Sequence, residues 1–445
     1  MPPEAACRTD PPKSCDILVI GGGPAGSTAA GMLAARGCDV VLLEKARHPR
    51  FHIGESLLPA NLPLLERLGV SAEVRAIGLE KWAAEFVSPW DGRRQEFEFA
   101  ESWDKSMPFA YQVRRSKFDE ILIRRAGALG AKVVEGCCVR DVEFANGRAM
   151  LVHARHDDGR ADRWRAKWVV DASGRDTLLG GRLQVKRRSR KHNSAAIYAH
   201  FTGARREAGK REGNISIFWF DHGWFWFIPL ADGATSVGAV VWPRYLKNRR
   251  TSLREFFADT IELCAPLRER LDGARLVTEV EATGNYSYTC DRTHGSNYLL
   301  IGDAYAFIDP VFSSGVMLAM NGGMAAAEAI VSCLGDPKGA ARALKRFDRV
   351  TRHGPKQYGW FIHRVTNPAM RELFLAPRNI WRVQEALLSV LGGDIFGRTP
   401  IWGSVRLFKS IYYLSSLMHL GRTLQAARRR KHDIRSVEAE RMTGG

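Results

Sequence analysis

The stretch CDILVIGGGPAGSTAAGMLAARGCDVVLLEK, from Cys15 to Lys45, constrains the fold more than any other part of the chain. An apolar run, Ile17 to Ile20, meets Gly21, Gly23 and Gly26; an Ala-rich segment follows, and a second apolar run ends on Glu44. This is the order strand, turn, helix, strand, with Gly37 where a helix end needs a left-handed residue. In G-x-G-x-x-G the first glycine permits the tight turn, the second lets backbone approach a pyrophosphate, and the third lets helix pack on strand. The helix start, with Pro24 and Ala25, then presents unpaired N–H groups to anionic phosphates. Glu44, followed by Lys45, is placed to accept hydrogen bonds from a ribose diol, which disfavours a 2′-phosphate there. The pattern predicts a dinucleotide site on Gly21, Gly23, Pro24, Ala25, Gly26, Glu44 and Lys45.

At roughly 100–200 residues per domain, 445 residues hold two or three domains or one interlocked unit. Hydrophobic residues make up 45% and charged residues 26%, which excludes collagen-like, mostly disordered and polytopic membrane classes. The net charge of +18 favours an anionic partner; no zinc finger, helix-turn-helix or RNP signature accompanies it, so nucleic acid is not expected. Eight cysteines without a C-x-x-C pair or matching His cluster predict neither a metal site nor a disulfide framework, and point to a reducing cytoplasm. No basic segment leading into an apolar core opens the sequence, and no apolar stretch reads as reaching the roughly 18–20 residues of a bilayer span. A helical stretch is expected over about 57–78, β-rich text over about 185–283, and a return to strand and long helix over 298–331.

Two further segments decide which dinucleotide. VVDASGR, Val169 to Arg175, and YLLIGDAYAFIDPVFSSGV, Tyr298 to Val316, resemble the middle and late fingerprints of FAD-dependent oxidoreductases of the glutathione-reductase type. The resemblance implies FAD as cofactor, with Asp171, Ala172 and Gly174 supporting its site, Asp303 on ribityl or pyrophosphate oxygens, and Gly315 and Val316 opening a helix toward the flavin. QVRRSKFDEIL adds the R-x-x-F-D pattern of the same group and makes Arg115 a flavin-side residue. No second strand-linked G-x-G-x-x-G announces an NAD(P)H domain, so reduction is expected from a docking cofactor or a separate flavin reductase.

GWFWFIP, carrying Trp224, Trp226, Ile228 and Pro229, matches the W-x-W-x-I-P pattern of flavin-dependent halogenases. FHIGESLLP is similar to that family's segment beside the flavin, GLEKWAAEF places Lys81 at its essential lysine, and DPVFSSG resembles its halide loop, with Ser314 and Gly315 at the halide positions. The likeness runs from about residue 14 to about 396. It implies that reduced FAD and O₂ give a C4a-hydroperoxide, that chloride or bromide attacks it to form hypohalous acid, and that Lys81 carries the oxidant to an aromatic substrate. Backbone N–H donors suit a halide held dry, and a buried lysine has a lowered pKa that leaves some neutral amine. Trp224 and Trp226 would wall oxidant and substrate from the flavin.

Each residue also has a plainer reading. WFWF packs a sheet core, and an isolated Lys81 is a solvated helix-end lysine. Glu55 reads equally as a cap or a flavin-facing catalytic carboxylate, Ser56 as the cap of a helix from Leu57, His52 and His192 as ordinary polar histidines, and Asp309 as a turn residue before Pro310. Tryptophan halogenases carry an acidic residue two positions before the Ser/Thr-Gly pair, where Phe312 stands here. A phenol, pyrrole or other electron-rich aryl group is therefore expected, including one tethered to an acidic acyl carrier protein. The alternatives are a flavin monooxygenase or a geranylgeranyl-reductase-like enzyme.

The expected architecture is α/β: a Rossmann-like FAD domain of glutathione-reductase type (15–80, 108–182, 284–345), a β-rich substrate domain (81–107, 183–283), a helical C-terminal cap (346–445) and a flexible lead-in (1–14). The apolar stripe of the C-terminal segment, followed by Arg428 to Lys431, reads as a site cap or as a helix lying peripherally on a membrane surface.

Overall fold

The computed structural model describes residues 11–189, 193–284, 287–377, 379–397, 399–426 and 428. The opening motif forms β1 (Lys13–Ile20), α1 (Pro24–Ala34) and β2 (Val40–Glu44), with the strands parallel and Ile17 opposite Val40. The sheet order is Lys132–Glu135, β2, β1, Ala161–Asp171, Arg148–His156, Cys137–Ala145, with Tyr298–Leu300 paired onto the end of Ala161–Asp171. Ile17 to Ile20 and all of β2 are buried, as central parallel strands covered on both faces require.

Helix Gly315–Gly335 packs along α1 and the helix Ala340–Ile362. Its 21 residues are apolar and long enough to cross a membrane by length and composition, which corrects the expectation that no stretch is; 67% of its most apolar window is buried inside the protein. It is a core helix, apolar because it is surrounded.

An eight-stranded sheet takes Ala83–Val87 and Arg94–Glu98 at one end and Ile215–Phe220, Gly223–Pro229, Ala234–Val241 and Ala195–Thr202 in its middle. Side chains alternate between its faces. Phe218, Phe225 and Phe227 pack against Phe256 and Phe257, whereas Trp219, Trp224 and Trp226 share a core with Phe361, Phe374 and Leu387 of the C-terminal helices. The stretch expected as one helix over 57–78 is broken: Gly69, at φ 69°, ends Leu62–Leu68 in a left-handed cap before Ser71–Ile77 begins. The lead-in before residue 11, His192 and Arg429 to Lys431 lie outside the described residues.

Candidate active site

A cavity of about 460 Å³ is lined from both sheets. One end is the β1 to α1 turn. Gly21 sits at φ +102°, and a Cβ on Gly26 would lie 1.9 Å from the Gly21 carbonyl oxygen, so the turn closes only with glycine at both places. Glu44 lines the wall at the end of β2, accepting from the Gly22 N–H at 2.6 Å and the Ala46 N–H at 2.8 Å. Lys45, Ala172 and Gly174 also line it, and Lys45 is paired with Asp176. Asp171, expected to support the FAD site, stands behind the cavity surface. It is fully buried, its two oxygens accept from the Ser173 and Leu179 N–H groups at 3.0 and 2.7 Å, and burial raises its pKa; it shapes the turn that carries Ala172 and Gly174.

Toward the middle, Arg115 is locked by Asp119 at 2.8 and 3.0 Å and by the Ile53 carbonyl at 3.1 Å. Burial pushes the Asp119 carboxyl up, but Arg115 and Arg50 overcome this and hold it below the usual range. Asp303, on the cavity wall, is pushed up to about 6 by burial. His52, read as an ordinary histidine, lines the same wall and is lowered to about 4, first by burial and then by Arg115. Gly315 and Val316 open the long helix onto the cavity. Before them Ser313 turns the chain at φ 53°, and the Ser314 hydroxyl is buried without a hydrogen-bond partner.

At the far end Trp224 and Trp226 complete the wall, their ring centroids 6.1 Å apart. Trp226 lies across Gly238 of the next strand and donates its indole N–H to Ser236 Oγ at 3.2 Å. Glu55 faces the cavity and is held by His200 Nε2 at 2.9 and 3.1 Å, with Arg114 at 3.6 Å. His200 was invisible to local reading, because 145 residues separate it from its carboxylate.

Lys81 sits one residue behind this wall. Its strand, Leu79–Lys81, pairs with Ala110–Gln112 as a two-stranded ribbon outside both large sheets. The ammonium is 1% exposed; it donates to Ser56 Oγ at 3.0 Å and to the Leu57 carbonyl, and lies 5.2 Å from the centre of the Phe99 ring. Ser56, expected as a helix cap, is thus the contact between Lys81 and the cavity it lines. No carboxylate pairs with Lys81 among the described residues, and burial alone lowers its pKa from 10.5 to about 7. Lys81, Ser314, Gly26 and Asp171 stand behind the cavity surface; the other residues expected from the sequence line it.

The residues fit FAD. The close Gly21–Gly26 approach leaves room for a pyrophosphate at the start of α1, Glu44 stands at the ribose position, and Asp303 and Arg115 flank the path to the aromatic end.

The family model described as tryptophan halogenase matches residues 16–102 and 81–367. A pyrrole-2-carbonyl-[peptidyl-carrier protein] chlorinase of Pseudomonas fluorescens is 32% identical over 404 residues, 86% of this chain and 89% of that protein. A tryptophan 2-halogenase of Chondromyces crocatus is 35% identical over 345 residues, 76% of this chain and 65% of its own length. The solved structure of the myxobacterial chondrochloren halogenase is 33% identical, with a TM-score of 0.75 over 91% of this chain and 97% of that one. With this motif set, this cavity and these relatives, the chain belongs to the flavin-dependent halogenases, enzymes that work with FAD, halide and O₂.

Proposed function

We propose that the chain halogenates an electron-rich phenol, pyrrole or carrier-tethered aryl group, with Lys81 Nζ relaying the halogen. The observation that carries this is a buried amine, without a carboxylate partner among the described residues, held against the cavity wall through Ser56. When bound and reduced, FAD supplies with O₂ the oxidising equivalents that turn chloride or bromide into hypohalous acid. With a pKa of about 7, the amine has its lone pair free in about half of the molecules at neutral pH. Attack on halogen forms an N–X bond, and the leaving hydroxide takes up an N–H proton as water. The aromatic carbon then takes the halogen from nitrogen and loses its proton, which restores the amine. Ser56 Oγ and the Leu57 carbonyl accept the two N–H groups of the neutral amine and hold it in place before it attacks.

Backbone N–H groups at the start of Gly315–Gly335, beside the Ser314 hydroxyl, suit the halide seat. Trp224 and Trp226 keep the organic acceptor off the flavin cavity. Phe312 packs against Tyr358, Phe361 and Phe374, an apolar setting that favours a neutral ring over one needing a carboxylate partner. The carrier-protein substrate in the name of the Pseudomonas relative supports a tethered acyl group here, and the +18 charge suits an acidic carrier. Reducing equivalents come from a separate flavin reductase.

The test is a reaction of the protein with FAD, a flavin reductase, NADH and bromide on phenol and pyrrole probes, read by the bromine isotope doublet. The wild type gives brominated product, and Lys81→Ala loses at least about a hundredfold of it while NADH consumption continues. A Lys81→Ala protein brominating at full rate overturns the relay, and a hydroxylated product in place of bromination overturns the whole reading.

A further inference from the structure

The helix Trp402–Met418 is apolar on two opposite sides. Counting about 100° per residue, Val405, Phe408 and Tyr412 fall on one stripe; they are buried and share the core with Phe361. Leu414, Leu417 and Met418 fall on the opposite stripe and are 62%, 65% and 75% exposed. The chain is helical again over 420–426, where Leu420 and Leu424 are exposed too. Packing on the protein therefore accounts for only the first stripe.

What covers the second follows from the charges around it. No Asp or Glu occurs between Asp394 and Asp433, whereas eight Lys or Arg do: Arg398, Arg406, Lys409, Arg422, Arg428, Arg429, Arg430 and Lys431. Of these, Arg406, Arg422 and Arg428 are exposed, and the next three follow directly in sequence. A protein interface of this make-up would bring like charges together if its partner were a second copy of the chain. An anionic bilayer instead takes both parts: the apolar side chains enter the acyl boundary, the cations meet the headgroups, and Tyr413, 53% exposed, lies at the interface level.

We infer that this C-terminal helical segment seats the enzyme on the surface of an anionic membrane. The inference is independent of the halogenation chemistry, since none of these residues lines the flavin cavity.

Flotation of the full FAD-loaded chain with vesicles tests it, comparing phosphatidylcholine alone with phosphatidylcholine containing about 30% phosphatidylglycerol, at about 0.1 M and about 1 M salt. The anionic vesicles should bind at least about tenfold more protein at low salt, and high salt should remove most of that advantage. A triple variant, Leu414→Ser, Leu417→Ser and Met418→Ser, should lose at least about tenfold of the binding while keeping its FAD absorbance and its turnover of a soluble probe. Equal binding to both vesicles, or unchanged binding by the triple variant, overturns the inference. So does a lipid-free dimer, seen by light scattering, that the triple variant dissociates, because the face would then belong to a second copy.

Discussion

Replacing Lys81 by methionine should abolish halogenation and remove a pH-dependent stability penalty. The shift from 10.5 to about 7 has burial as its cause. At about 1.4 kcal/mol per pH unit, holding this lysine in the fold costs about 5 kcal/mol wherever the unfolded chain keeps the proton. Methionine fills a similar volume without that cost, but leaves Ser56 Oγ and the Leu57 carbonyl without their donor. Each orphaned buried acceptor costs about 1–3 kcal/mol, about 2–6 kcal/mol for the two, so the net change at neutral pH lies between a loss of about 1 and a gain of about 3 kcal/mol. In a chain of 445 residues that moves Tm by no more than about 3 °C, and the decisive readout is how the difference changes with pH. The pH dependence has a definite sign. The folded pKa lies below the unfolded one, so between about 7 and 10.5 only the unfolded chain binds this proton. Wild-type stability at this residue therefore rises with pH across that window, and the penalty is complete below it. The Tm of Lys81→Met relative to wild type should be highest at pH 7 or below and fall toward pH 10, as calorimetry of the two proteins side by side would show. Bromination by the wild type should rise with pH through about 7 as the amine loses its proton. A Tm difference between the two proteins that stays constant from pH 7 to pH 10 would refute the argument that burial sets the state of this amine.

Gly26→Ala would bring a methyl group 1.9 Å from the Gly21 carbonyl, so the pyrophosphate turn must open. FAD retention on a desalting column should fall by at least about tenfold. Gly238→Ala would drive a Cβ to 2.2 Å from the Trp226 ring, displacing it from the cavity wall. Stability should fall by about 1–3 kcal/mol, and less brominated product should form per NADH consumed; unchanged coupling would show that the ring is only packing. His200→Ala leaves Glu55 buried with Arg114 as its remaining partner, at 3.6 Å. A loss of about 2–4 kcal/mol in denaturant unfolding is expected, with Glu55→Gln restoring part of it in the double variant.

What the sequence made legible is what is written locally. The Gly21 to Glu44 motif works through residues within one βαβ unit, so spacing alone carries its geometry, and the same holds for the turn after Asp303 and the start of the helix at Gly315. Asp171 was legible as a support of that site but not in its contacts: its fingerprint marks the turn, and which oxygen points where depends on the Leu179 N–H, reached only after the chain folds back. The reach of Lys81 was legible as a residue and not as an environment. Its titration depends on burial, and its contacts with Ser56, Leu57 and Phe99 on a two-stranded ribbon that no run of hydrophobic residues announces. The tryptophans mark the boundary between the two cases. From Ile215 to Val241 almost every strand residue is buried, so the polar and apolar alternation that would distinguish one face of the sheet from the other is missing. That Trp224 and Trp226 turn toward the flavin cavity, with Phe225 and Phe227 turned away, is fixed by tertiary pairing. Trp226 has a glycine directly opposite it on the neighbouring strand, the one partner that lets an indole lie flat across the sheet. Gly238 is thus as much a part of the wall as the ring it supports, and only the register between two strands reveals it.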